Sequence, residues 1–135
     1  MKITERILGG VLVLAAAVTA FYWWSYFTGG DVMVLKDRWY TAFESSFPVA
    51  DGWMALCCAV AGACFFFGSR MAPLFGLMAA SAVLYLAAMD ITFDVENHMY
   101  AMAAINDAMK FEVFINVSCV VLSVWTLAVS WRRLN

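Results

Sequence analysis

Four long stretches without a charged residue divide the chain, and short polar segments separate them. Each has roughly the 17–25 residues with which a helix crosses a hydrocarbon core about 30 Å thick. A lipid-embedded backbone must satisfy its own hydrogen bonds, so each stretch is predicted to be helical. The pattern predicts an all-α, polytopic membrane protein: a four-transmembrane-helix bundle with two outer loops, in a single domain 1–135. The charge-free stretches are 7–30, 52–69, 71–89 and 113–131, and the predicted helices are about 6–29, 50–69, 72–94 and 109–132.

The first stretch also has features of a signal peptide. Lys2 and Arg6 precede it, and Ala16 and Ala20 supply small residues near a possible cleavage point. The apolar run nevertheless continues through the aromatic residues 21–24. This length favours a retained, membrane-spanning helix.

The basic residues predict the orientation, because loops rich in lysine and arginine stay in the cytoplasm. The two termini and the turn 68–73 hold five of them, against three in the other two connections. We therefore expect an integral protein of a bacterial inner (plasma) membrane with cytoplasmic N- and C-termini. The five are Lys2, Arg6, Arg70, Arg132 and Arg133, and the three are Lys36, Arg38 and Lys110.

The connections differ in their sequence signals. Pro73 suits the first turn of a helix, so the turn before it predicts a tight hairpin of the second and third helices. The other two connections are predicted to be outer loops of about 20 residues. Within them, 39–44 is amphipathic enough to lie on the membrane surface, and 100–109 is rich in alanine and methionine and could be helical.

The composition agrees with membrane insertion. Hydrophobic residues make up 65 % of the chain and charged residues 13 %, whereas soluble domains are about a quarter charged. The net charge of −2, with no dense cluster of basic residues, argues against a nucleic-acid partner. Four cysteines lie within apolar stretches and are expected to be small, reduced core residues: Cys57, Cys58, Cys64 and Cys119.

The acidic residues lie almost entirely on the outer side. The densest polar segment is 90–98, where Asp90 and Asp94 share a helix face if the third helix continues through it. The negative end of the helix dipole disfavours anions there, so another group must compensate them. Two interpretations stay open, a solvated interface and a binding site.

Asp51 belongs to the same level of the bundle. It follows Pro48 in the first turn of the second helix, where a carboxylate is favourable, and a helix-start role alone explains it. The hairpin geometry also places it level with Asp90, and Glu112 and Asn116 enter the fourth helix at this depth. The candidate ligand- or cation-binding residues are Glu44, Asp51, Asp90, Asp94, Glu96 and His98.

These residue types limit the chemistry without naming a ligand. Carboxylates with His98 could hold a divalent metal, but no established ligand spacing is present, so metal and cofactor stay open. One histidine cannot supply both axial ligands of a bis-histidine haem, and no reactive cysteine pair suits a thiol oxidase. The glutamate of small multidrug exporters is missing from 7–30, and no hydrolase, metalloprotease or phosphate-loop motif occurs.

The leading hypothesis is a non-catalytic integral membrane subunit or accessory protein. It would pack against a larger membrane complex or against its own copies in the lipid bilayer. The alternative is a small-molecule or cation binder or transporter that uses an acidic extracytoplasmic vestibule. An enzyme is not expected, because no catalytic constellation is visible in the sequence.

Overall fold

The structure, a computed structural model that describes residues 3–135, is 83 % helix, and these residues contain no strand. Four helical segments are long and apolar enough to cross a membrane, which confirms the predicted number. Lys2, one of the basic residues behind the expected orientation, lies outside the described residues. The helices are α1 (Ile3–Phe27), the short α2 (Arg38–Glu44), α3 (Pro48–Phe66), α4 (Ala72–Glu96) and α5 (Asp107–Leu134).

The second outer connection is shorter than the predicted 20 residues and consists of 97–106. Helix α4 continues to Glu96, and Asn106 caps α5 by accepting a hydrogen bond from the Met109 amide at 3.1 Å. A 3-10 helix, Met99–Ala104, fills most of the space between them. The polar residues 90–96 therefore extend a helix, because the tertiary contacts of this end outweigh their local preference for a loop.

The long helices pack in chain order, α1 on α3, α3 on α4 and α4 on α5. We call the end with the turn 67–71 the inner end, and the end with α2 and 97–106 the outer end. At the inner end, Arg133 Nη1 of α5 lies 3.7 Å from Glu5 Oε2 of α1. This ion pair joins the first and the last helix of the bundle.

Two glycines let α1 and α3 approach closely near the inner end. A Cβ on Gly9 would lie 2.7 Å from the Gly62 carbonyl oxygen, and a Cβ on Gly62 would lie 2.7 Å from the Gly9 carbonyl oxygen. Such backbone contact is a common way of packing membrane helices, because lipid provides no hydrophobic drive for their association. Pairing of early α1 with late α3 also shows that the two helices run antiparallel.

The apolar core occupies the inner half of the bundle. It is built from aliphatic residues of α1 and small residues of α3 and α4, around the fully buried ring of Phe65. All four cysteines are free thiols, with Cys57 and Cys58 buried in this core and Cys64 and Cys119 half-buried beside it.

Helix α5 has its polar side inside the bundle. Asn116, Ser123, Thr126 and Ser130 are between 0 and 3 % exposed. The opposite face is apolar and more than half exposed, and includes Phe114, Val117, Val121 and Val124. This distribution is the reverse of that in a soluble helix, and it suits a helix surrounded by lipid on its outer side.

Candidate functional site: an acidic cluster at the outer end

Helix α2 covers the outer end of the bundle through its side chains. The Tyr22 hydroxyl of α1 donates a hydrogen bond to Glu44, and the Tyr40 hydroxyl donates one to Glu112 of α5 at 3.3 Å. The Phe43 ring stacks on Phe93 of α4, with centroids 3.6 Å apart and the planes 5° from parallel. The segment predicted to lie on the membrane surface therefore bridges three of the long helices.

Asp51 has both a local and a tertiary role. It lies in the first turn of α3 behind Pro48, where the helix dipole favours an anion. Its Oδ2 also accepts a hydrogen bond from Trp23 Nε1 of α1 at 2.8 Å. The side chain is half-buried, so this carboxylate is part of the helix interface as well as a helix start.

Asp94 is the most enclosed carboxylate of this region, with none of its surface exposed. Its Oδ2 accepts a hydrogen bond from Asn116 Nδ2 at 3.1 Å, and the same amide lies 3.4 Å from the Tyr100 hydroxyl. Burial raises the pKa of Tyr100, so this hydroxyl keeps its proton at neutral pH. Asp94 Oδ1 is buried and has no hydrogen-bond partner among residues 3–135.

Asp90 lies one helical turn before Asp94 on α4. It is half-buried and lies within electrostatic range of Glu44, Asp51 and Asp94. Glu112 of α5 lies within the same range of Asp90, Asp94 and Glu44. We call these five carboxyl groups the acidic cluster: Glu44, Asp51, Asp90, Asp94 and Glu112.

The acidic cluster has no basic partner among the residues that the structure describes. The three ion pairs found there join Lys36 to Asp31, Lys110 to Asp107 and Arg133 to Glu5. Every hydrogen bond described above for the cluster comes from a neutral hydroxyl, indole or amide group. None of these donors neutralises the negative charge of an ionised carboxylate. Enclosed carboxylates without a counter-charge require positive charge from elsewhere, either as protons or as a bound cation.

Glu96 and His98 are not brought into the cluster. Glu96 is exposed and lines a separate cleft of about 310 Å³ that also includes Phe43, Thr92 and Phe93. His98 is exposed, has a left-handed backbone with φ of 56°, and precedes the 3-10 helix. Within residues 3–135, no three His, Cys, Asp or Glu side chains are arranged to hold a metal ion.

The hydrogen-bond donors of the cluster were not among the sequence candidates. Tyr22, Trp23 and Tyr40 lie in an aromatic-rich region whose composition also fits an interfacial belt, so nothing in the sequence distinguishes them. Glu112 and Asn116 offered a clearer signal. They are four residues apart, hence on one helix face, at the start of an apolar run.

Comparisons with known proteins do not supply a relative: no family model, no curated protein and no solved structure matches the chain. The function must therefore be inferred from the chemistry of the acidic cluster itself. That chemistry combines five carboxyl groups, neutral donors and aromatic rings at one end of a bundle whose four long helices are apolar enough to cross a membrane.

Proposed function

We propose that this protein binds a small protonated amine in the acidic cluster, at the extracytoplasmic face of a bacterial inner membrane. The observation behind the proposal is the fully buried Asp94: within residues 3–135 its Oδ1 has no hydrogen-bond partner, and no lysine or arginine there pairs with the acidic cluster. An ammonium group would supply both the hydrogen-bond donor and the missing positive charge.

The surroundings favour an ammonium group over a metal ion. Calcium needs six to eight oxygen ligands, and magnesium needs near-ideal octahedral geometry. An ammonium group bonds whichever acceptors it reaches. Tyr22, Trp23 and Tyr40 each donate one hydrogen bond to a carboxylate of the cluster, and a carboxylate has further lone pairs that can accept from an ammonium group.

Binding of methylammonium to the purified protein tests the proposal. We expect methylammonium to raise the thermal unfolding temperature in detergent, and Asp90→Asn or Asp94→Asn to weaken its binding about tenfold or more. A charge-assisted hydrogen bond contributes about 1.5–3 kcal/mol, and 1.4 kcal/mol is a factor of ten. Asp31→Asn is the matched control, because Asp31 is an exposed acid paired with Lys36 outside the cluster.

Potassium and calcium chloride at equal ionic strength separate specific binding from general screening. Equal stabilisation by potassium would mean that the cluster takes any cation. Preferential stabilisation by calcium would indicate a metal site instead. An unfolding temperature that methylammonium does not change, or that it changes equally in Asp94→Asn, would overturn the proposal.

The proposed location rests on the excess of basic residues at the inner end. Arg70 lies in the inner turn, and Arg132 and Arg133 lie in the last turn of α5. If the inner end is cytoplasmic, the acidic cluster opens on the opposite side, where it meets amines from outside the cell.

We propose, as a second function, that the protein is an accessory subunit which docks on a membrane partner through its outer end. Support comes from apolar side chains beyond the main spans, where lipid tails do not cover them. Ile105 is 89 % exposed and Trp39 is 48 % exposed. A photo-crosslinker at Ile105, used in native membranes, should give one discrete protein adduct, and the same group at lipid-facing Phe114 should give none.

A further inference from the structure

The side of α5 that faces the other helices has a polar or small side chain at each turn. We call it the polar seam: Asn116, Cys119, Ser123, Thr126 and Ser130. Their spacing of 3, 4, 3 and 4 residues keeps them on one helix face. At about 1.5 Å per residue the seam covers roughly 20 Å, which is most of the thickness of a hydrocarbon core.

The two ends of the polar seam meet ionisable groups. At the outer end, Asn116 donates to Asp94, and Cys119 lies within electrostatic range of Asp90 and Asp51. At the inner end, Arg133 lies three residues after Ser130, on the same face of α5. It pairs with Glu5, which is only 8 % exposed. The seam therefore lies between two buried acids, Asp94 at the outer end and Glu5 at the inner end.

Among residues 3–135, three buried side-chain nitrogen or oxygen atoms have no hydrogen-bond partner. Asp94 Oδ1 lies beside the outer end of the seam and Ser130 Oγ lies at its inner end, while the third atom, Arg133 Nη1, takes part in the ion pair with Glu5. Buried polar groups are almost always hydrogen-bonded, commonly to internal water when no protein group is near. An internal water at each end of the seam would satisfy Asp94 Oδ1 and Ser130 Oγ.

Close packing of the helices explains why some positions of the polar seam are serine or threonine, but it does not explain all of them. Ser123 Oγ donates to the Cys119 carbonyl at 2.8 Å, and Thr126 Oγ1 donates to the Leu122 carbonyl at 2.7 Å, as is common in membrane helices. Each hydroxyl oxygen can still accept a hydrogen bond. Alanine at position 130 would pack against Gly76 without the cost of an unpaired hydroxyl, so packing does not account for Ser130.

We propose that the polar seam conducts protons across the bundle, between Asp94 at the outer end and Glu5 at the inner end. The proton leaves the Asp94 carboxyl group and passes along hydroxyls and intervening water, each O–H bond breaking as the next one forms. At the inner end it passes the ion pair of Glu5 and Arg133 and enters the inner aqueous phase. One positive charge moves and no group is oxidised or reduced.

The residues favour protons over larger cations as the conducted species. Between Asp94 and Glu5 the seam has no carboxylate, and Ser123, Thr126 and Ser130 have no exposed surface. A metal or ammonium ion would need both ligands and space there, whereas a proton needs only a chain of donors and acceptors. The Asp94 carboxyl group is faced by Glu44 of α2, Glu112 of α5 and Asp90 of its own helix, which together attract protons to the outer end.

Proton flux into liposomes tests the proposal independently of amine binding. The purified protein is reconstituted with an internal pH-sensitive dye, and a valinomycin potassium potential drives the flux. We expect acidification well above that of empty liposomes, and a loss of about tenfold or more in Thr126→Val, which keeps the shape and removes the hydroxyl. Thr19→Val is the matched control, because Thr19 bonds the Ala15 carbonyl in the same way on α1, away from the seam.

Two further variants distinguish a loss of proton conduction from a loss of folding. Thr126→Ser restores a hydroxyl and should conduct like the wild type, and Asp94→Asn should stop conduction from the outer end. Wild-type flux equal to that of empty liposomes would overturn the proposal, as would unchanged flux in Thr126→Val. Methylammonium binding measured on the same Thr126→Val protein should be normal, so a failure of conduction is distinguishable from a failure of the binding site.

Discussion

The buried carboxylate of Asp94 accepts a hydrogen bond from the amide of Asn116 within the bundle. A second carboxylate oxygen already lacks a partner. Replacing a single buried hydrogen-bond donor at the outer end should therefore lower the stability of the bundle, because each donor that is lost leaves a further polar atom buried and unpaired. The same reasoning does not hold for exposed donors, which water replaces.

At the scale of one residue, we predict that Asn116→Leu destabilises the bundle by about 1–3 kcal/mol, the cost of leaving a buried acceptor without its donor. Unfolding of the purified protein in mixed micelles would measure the change. Asn97→Leu is the control, because the Asn97 side chain bonds the Phe93 carbonyl in exposed surroundings. An Asn116→Leu protein as stable as Asn97→Leu would show that Asp94 does not depend on this amide.

At the scale of the elements, the closest helix contact is between α1 and α3 at Gly9 and Gly62. Small residues within apolar runs are typical of helix interfaces, but the sequence alone does not show which glycines take part. Gly10 and Gly52 also occur in spanning helices, yet a Cβ on either would meet nothing within 4 Å.

We predict that Gly62→Ala destabilises the α1–α3 pair by about 1–3 kcal/mol, the usual cost of overpacking, because its Cβ would press on the Gly9 carbonyl and on Val13. Gly52→Ala lies in the same helix and should be neutral or stabilising by up to about 1 kcal/mol, since alanine favours a helix. Thermal unfolding of both variants tests the difference. Equal effects would mean that helix propensity outweighs packing at this crossing.

The elements also show what could be predicted from the sequence. Uninterrupted apolar runs define the four long helices, because lipid forces any such run to be helical. The location of α2 was not predictable, since it depends on Phe43 meeting Phe93 and Tyr40 meeting Glu112, contacts between distant parts of the chain. The polar seam was missed because Ser123, Thr126 and Ser130 are small enough to fit any apolar run without signalling which face they occupy.

At the scale of the whole molecule, we predict that Ser69 faces the cytoplasm and Asp107 the opposite side, following the basic bias of the inner end. Ser69→Cys and Asp107→Cys would each be placed in a protein whose four native cysteines are replaced by alanine. A membrane-impermeant maleimide added to intact cells should label position 107, and position 69 only after lysis. Labelling of position 69 in intact cells would reverse the orientation and place the acidic cluster in the cytoplasm.

The inverted polarity of α5 has a consequence for biosynthesis. A ribosome makes α1, α3 and α4 before α5, so Asp94 enters the membrane while its only amide partner is still unmade. Until α5 is inserted, α4 presents an acid at its outer end, and α5 in turn has hydroxyls that free lipid would not satisfy. We therefore expect the insertion of α5 to be coupled to its docking on α4.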